Sequence, residues 1–195
     1  MGPTIIHLIG NPGVGKYTVG VRVAELTGAK LVDNHAIANV IFNLLEQDGM
    51  KPLPPGVFDL VGRVRSAVLD TLTELSPRHL SFVFTNVIRG GDAAEYASFE
   101  EFVGVARIRG SVYVPVILTC ETPELAGRIV SDDRRRRMKL IDPVEGARIN
   151  REWPILSTPH PNALTLDVTR IPAEESARVI VEWAEECGGE RPAAS

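Results

Sequence analysis

Apolar positions fall into two alternating rhythms along this chain. Thr4 to Ile9 is a short β-branched run that stops at Gly10-Asn11-Pro12-Gly13, the pattern of a buried strand entering a loop. From Lys16 onward Val19, Val23 and Leu26 recur at helical spacing until Gly28, which suits a C-terminal cap. Leu31 and Val32 predict a second short strand, closed by Asp33-Asn34-His35. Ile37, Val40, Ile41, Leu44 and Leu45 then trace one helical face. Gly49 to Gly56, with its prolines, reads as a loop. Val61, Val64, Val68, Leu72 and Leu75 mark a third helix that stops near Ser76-Pro77, because the residue before a proline is steered away from the α region.

Leu80 to Ile88 is nearly continuous in apolar and β-branched residues, as expected of a strand covered on both faces in a parallel sheet, and Arg89-Gly90-Gly91 ends it. A helix is expected over about 93–107, then a strand over Val112 to Cys120. Pro115 lacks an N–H, so the paired part of that strand is expected to begin near Val116. Thr122-Pro123-Glu124 predicts an N-cap at Thr122 and a helix running into an arginine cluster. A helix near Val144 to Trp153, a loop from Ser157 to Asn162, a strand from Ala163 to Val168 and a helix from Ile171 to Cys187 complete the pattern. The tail 188–195 is expected to be disordered. Strands alternating with helices imply a layered α/β fold with a parallel, five-stranded sheet, and residues 1–187 read as one domain. Ligands in such sheets sit at the carboxyl ends of the strands, so the glycine loop, Asp33 and Arg89 are expected on one rim.

Charge narrows the candidates. The 195 residues carry 21 basic and 25 acidic side chains, a net charge of -4, which argues against a protein devoted to nucleic acid. The basic residues are mostly arginine, the planar donor suited to phosphate, and they concentrate at Arg134, Arg135, Arg136 and Arg137. Two cysteines make no disulfide framework or metal pattern. With no membrane-length apolar run and no basic signal start, a cytoplasmic chain without a membrane partner is expected. Nothing in the pattern fixes an oligomeric state.

Gly10-Asn11-Pro12-Gly13-Val14-Gly15-Lys16 fits G-x-x-x-x-G-K between a strand and a helix. Glycines there let backbone N–H groups turn inward around phosphate, the helix N-terminus adds positive potential and Lys16 supplies a point charge. The strict pattern continues with Ser or Thr, whose short hydroxyl coordinates Mg²⁺. This chain has Tyr17, whose phenol lies too far from the backbone for that duty.

The fuller string G-x-P-G-x-G-K-x-T resembles the loop of adenylate kinase and its relatives, and the order of elements is similar to that superfamily over almost the entire chain. The resemblance implies a three-layer P-loop NTPase fold of the nucleoside-monophosphate-kinase type, with ATP and Mg²⁺ as cofactors. Asn11, Gly13, Val14, Gly15, Lys16, Tyr17 and Thr18 would surround the nucleotide phosphates, with Thr18 at the α-phosphate and Mg²⁺ held largely through waters. Shikimate kinase and similar enzymes carry D-x-D at the end of the second strand. By that resemblance Asp33 orients metal water, and His35 stands where the acid contacting the acceptor would be, a departure that speaks against shikimate as substrate. A neutral imidazole there is a candidate base. The plainer alternatives are an N-cap role for Asp33 and a backbone-bonded helix start for His35.

The same resemblance places an acceptor-binding region at about 34–78, with Arg63 or Arg65 on the acceptor's anionic group, and puts Asn86 and Arg89 at the acceptor-facing end of the third strand. Leu125-Ala126-Gly127-Arg128-Ile129 followed by Asp132 to Arg137 is similar to the L-x-x-R-I and arginine-rich lid of nucleotide kinases. That likeness implies Arg128 on the base, Arg134 and Arg137 among lid arginines that close on phosphate within about 132–142, and Thr169 and Arg170 near the adenine edge. Asp59-Leu60-Val61-Gly62 matches a GTPase D-x-x-G, but it opens a helix and no N-K-x-D string accompanies it. The expectation is an ATP-dependent phosphotransferase acting on a small hydroxylated or phosphorylated acceptor. Two alternatives stay open, a nucleoside monophosphate kinase and a nucleotide-binding module with weak catalysis.

Overall fold

The computed structural model describes residues 2–46, 53–137 and 139–189. Strands β1 (Thr4–Ile9), β2 (Lys30–Asp33), β3 (Phe82–Asn86), β4 (Val112–Thr119) and β5 (Leu164–Asp167) form one parallel sheet in the order β2-β3-β1-β4-β5. All six residues of β1 are buried, as a central strand with an uninterrupted β-branched run requires. The helices are α1 (Lys16–Thr27), α2 (Asn34–Phe42), α3 (Val57–Glu74), α4 (Ala93–Arg109), α5 (Thr122–Ile129), α6 (Asp132–Arg136), α7 (Pro143–Glu152) and α8 (Ala173–Gly188).

Strand periodicity sorts the core into two layers. On one face Ile6, Leu8, Val83, Val116 and Leu118 meet Val19 and Val23 of α1 and Ala177, Ile180 and Ala184 of α8. On the other Ile5, Ile9, Phe82 and Phe84 pack against Leu69 and Leu72 of α3 and Phe99, Phe102 and Val105 of α4. A smaller cluster joins Ile37, Ala38 and Phe42 of α2 to Val57 and Val61 of α3. No helix among the described residues is long and apolar enough to cross a membrane.

Four local expectations are corrected. Pro115 lies inside the paired part of β4, opposite His7 of β1. The carbonyls of Tyr113 and Thr119 both point to the β5 side, where they accept from Asn162 Nδ2 and Val168 N. Pro115 shares their parity, so its missing N–H faces a side on which β5 begins to pair only at Val116. Thr122 is the first residue of α5 and not its cap; Glu121 holds that place, and the Thr122 hydroxyl accepts from Asn150 Nδ2 at 3.0 Å. The helix does not run on into the arginines, because Ser131 takes extended backbone (ψ 147°) and its carbonyl starts the separate turn α6. Finally, α8 takes in Gly188, which was expected in the tail. Of the expected disordered tail, residues 190–195 lie outside the described residues, as do residues 49–52 of the expected loop 49–56.

Candidate active site

The loop leaving β1 is built on two glycines whose backbone no other residue adopts readily. Gly13 has φ 96°, and a Cβ there would fall 2.8 Å from Ile129 Cγ1; Gly15 has φ 108°. Gly15 occupies the N-cap of α1 with no side-chain cap, so the first N–H groups of that helix stay turned toward the loop. Lys16 folds back over the loop and donates to the carbonyls of Gly10 at 2.5 Å and Asn11 at 3.0 Å. Burial, and after it the charges of Lys139 and Arg134, pull Lys16 down to about 7, against the opposing influence of Asp33. Val14 is buried, and Thr18 is exposed on the first turn of α1.

Asp33 sits at the N-cap position of α2 but makes no cap bond. Its carboxylate accepts from Thr85 Oγ1 at 2.6 Å and from Lys139 Nζ at 3.1 Å. Burial alone would raise its pKa; the charge of Lys139 and the two hydrogen bonds outweigh that and hold it below the usual carboxylate range. Lys139 is itself only 7% exposed, and burial with the nearby charges of Arg134 and Arg137 lowers its pKa against the pull of Asp33. Tyr17 faces the same cations, with Arg137 Cζ 4.0 Å and Lys139 Nζ 4.7 Å from its ring centroid. Arg134 donates twice to Leu140 O, at 3.0 and 2.8 Å.

Beside this cluster lies a cavity of about 290 Å³ lined by Tyr17, Leu31, Asp33, His35, Ala36, Asn39 and Arg137. His35 Nδ1 and Asn39 Oδ1 are both buried without a hydrogen-bond partner among the described residues. Burial, reinforced by Lys139, lowers His35 to about 4, so its imidazole is neutral at physiological pH.

Behind the rim runs a directed chain of hydrogen bonds, buried at His7 and part-buried toward Asp33. Burial lowers His7 to about 3, so it is neutral and carries one N–H. His7 Nε2 faces the amide oxygen of Asn86 at 3.0 Å and must donate to it, which leaves Nδ1 to accept from the Tyr113 hydroxyl at 2.7 Å. Asn86 Nδ2 then donates to Asn34 Oδ1 at 3.2 Å. The Asn34 N–H donates to Thr85 Oγ1, and Thr85 donates onward to Asp33.

Arg128 bridges two loops: Nη1 donates to Val14 O at 3.2 Å, and Nη2 to Val168 O and Thr169 O at 2.9 and 3.1 Å. Thr169 accepts from Glu121 N. Arg170 is exposed. Arg89 pairs with Asp92 at 3.1 Å, lies over the Trp153 ring and lines a separate cavity of about 330 Å³ with Tyr96 and Ile155. Arg63 is exposed and lines neither cavity, whereas Arg65 is half-buried, 3.6 Å from Glu101. Both ends of the Asn86 amide are engaged within the protein. The structure thus gathers Lys16, Tyr17, Asp33, His35, Arg134 and Arg137 into one neighbourhood and leaves Arg63 and Arg170 outside it.

Lys139, Asn39, Thr85 and Asn150 escaped the sequence reading. Asn150 ties the phosphate loop to the end of β4, accepting from Asn11 Nδ2 and donating to Cys120 O. Only for Lys139 was there a signal: a lysine just past an arginine run, in a chain that uses arginine for 17 of its 21 basic residues.

No family model and no curated protein matches the sequence. Solved structures do. A candidate kinase from Chloroflexus aurantiacus superposes with a TM-score of 0.69 at 16% identity, covering 95% of this chain and 97% of that one. A gluconokinase from Sinorhizobium meliloti gives 0.62 at 17% identity over 94% and 93%. Shikimate kinase from Acinetobacter baumannii gives 0.55 at 19% identity over 94% of each. The chain has the fold of the P-loop kinases. Within this kinase fold the glycine loop, the end of β2 and the arginine-rich segment after α5 converge on the carboxyl rim of the sheet, where such folds bind ligands.

Proposed function

We propose that this protein is an ATP-dependent phosphotransferase that moves the γ-phosphoryl group to a small hydroxylated acceptor. One observation carries the reading: Lys139 pairs with the Asp33 carboxylate, and Lys16, Arg134 and Arg137 lie near that pair, between a phosphate loop and a cavity lined by a neutral histidine whose Nδ1 has no hydrogen-bond partner among the described residues. Phosphoryl transfer demands little covalent chemistry from a protein; it demands positioning and positive charge where the transferring oxygens become more negative. Loop N–H groups and Lys16 hold the triphosphate, and Arg128 stands where the loop approaches the β5–α8 connection that would border the base. Arg134 and Arg137 supply charge, and α6 and its flanks keep water from the reacting group. His35, neutral at physiological pH and lining the acceptor cavity, takes the hydroxyl proton on its unprotonated ring nitrogen as the acceptor attacks.

For Mg²⁺ the residues present do not make a resident site. Tyr17 offers no short hydroxyl, Thr18 is exposed, and Asp33 is committed to Lys139 and Thr85. Among the described residues no three His, Cys, Asp or Glu are grouped to hold a metal ion. A divalent ion entering with the triphosphate belongs to the substrate. The cavity of about 290 Å³ suits a small metabolite as acceptor. The test is a comparison of ATP affinity and melting temperature for wild type and Lys16→Ala. The reading expects a folded variant that has lost ATP binding; wild-type binding by a folded Lys16→Ala protein overturns it.

A further inference from the structure

The residue after the loop lysine is where this chain departs most from the strict phosphate-loop pattern, and the structure gives that departure a use. Tyr17 is half-buried, and its phenol oxygen makes no hydrogen bond among the described residues; what it offers is its ring. Two cations from beyond α6 lie over that ring, Arg137 at 4.0 Å and Lys139 at 4.7 Å. Each is also held from a different element: Asn39 Nδ2 of α2 donates to the Arg137 carbonyl at 3.3 Å, and Asp33 at the end of β2 pairs with Lys139 at 3.1 Å. A guanidinium and an ammonium repel one another, yet both are drawn to the negative face of an aromatic ring. A serine or threonine at position 17 could not gather them.

We propose that Tyr17 is a positioning residue whose ring acts as a cation platform, holding Arg137 and Lys139 over the phosphate loop so that they meet the terminal phosphates of a nucleoside triphosphate where the strict pattern would place a hydroxyl. This rests on the kinase reading above and assigns Lys139, which touches the phosphates, a direct binding role. An ammonium carries three N–H donors, so Lys139 keeps its bond to Asp33 and turns another N–H to phosphate oxygen, with no change in covalent structure. The platform keeps the ammonium in place between the two anions.

The test is a substitution series at one position, read with ATP and with its non-hydrolysable imido analogue by calorimetry. Tyr17→Leu removes the ring, Tyr17→Ser installs the hydroxyl of the strict pattern, and Tyr17→Phe keeps the ring alone. Two cation–π contacts predict a loss of about tenfold or more in affinity for Leu and Ser, while Tyr17→Phe retains most of what they lose. Hydrogen exchange over 132–137 should accelerate in the Leu and Ser variants and stay near wild type in Phe, a readout that needs no nucleotide. Equal loss in Tyr17→Phe and Tyr17→Leu, or tighter binding by Tyr17→Ser than by wild type, overturns the proposal. If wild type binds ATP and Lys16→Ala does not, a flat Tyr17 series removes the platform alone. If wild type does not bind ATP, the kinase reading falls and takes the platform's ligand with it.

Discussion

Lys139→Met exchanges an ammonium for a thioether of similar length and leaves Asp33 without its cation. The side chains of the pair are 9% and 11% exposed, so water replaces the lost partner poorly. Removing one member of a buried pair costs about 3–5 kcal/mol. The Thr85 hydrogen bond to Asp33 survives and the pair lies near the rim, which favours the lower end, about 3 kcal/mol. For a chain of this size that lowers Tm by about 6–12 °C. Asp33→Asn should cost a similar amount, because it leaves Lys139 among Lys16, Arg134 and Arg137 with no anion. Asp33→Asn/Lys139→Met should recover part of the loss, a coupling of about 1 kcal/mol or more by urea unfolding. The pH dependence has a defined sign. The folded-state pKa of Asp33 is depressed, so the pair's contribution is present above the ordinary carboxylate value and fades as pH falls through the folded value. The gap between wild type and Lys139→Met should therefore close in acid. Additive single effects, with coupling below about 0.5 kcal/mol at neutral pH, would refute the pairing.

Three further outcomes follow from the same geometry. With Lys16 near 7, about 0.9 of these ammonium groups are neutral at pH 8, and phosphate should recharge them; calorimetry in buffers of different ionisation enthalpy should show about that many protons taken up per ATP bound, and zero uptake contradicts it. Nitrogen-15 spectra should find His7 as the neutral Nε2–H tautomer down to about pH 3, and a tautomer protonated at Nδ1 breaks the directed chain to Asp33. Once an acceptor is known, His35→Ala should lower kcat by about 10²- to 10⁴-fold with ATP affinity unchanged, whereas a merely structural histidine would shift Tm and leave the rate alone.

Much of the scaffold was legible because each element carried its own signal. The β-branched run of β1, the glycines before Lys16 and the helical spacing to Gly28 are local, and local rules read them correctly. Pro115 was misread because its tolerance depends on where β5 starts to pair, a property of a strand almost fifty residues later. The break between α5 and α6 turned on the backbone of Ser131 within a charged stretch that lacks apolar periodicity. At the site, Asp33 and Lys16 stood out because strand ends and glycine loops mark them. Lys139, Asn39 and Thr85 did not, since their importance lies in contacts spanning 106, 98 and 52 positions of sequence. His7 gave no sign at all: a histidine in an apolar strand reveals its role only when Tyr113 and Asn86 are seen on either side.

The claim of phosphoryl transfer is met most directly by following the γ-phosphate itself. ATP labelled at that position, incubated with the full chain and a library of hydroxylated metabolites, should yield label in an organic product, with one ADP per phosphoester formed and no transfer by Lys16→Ala. Tight ATP binding with no labelled product from any acceptor, or labelled product formed equally well by the Lys16→Ala protein, would contradict the account.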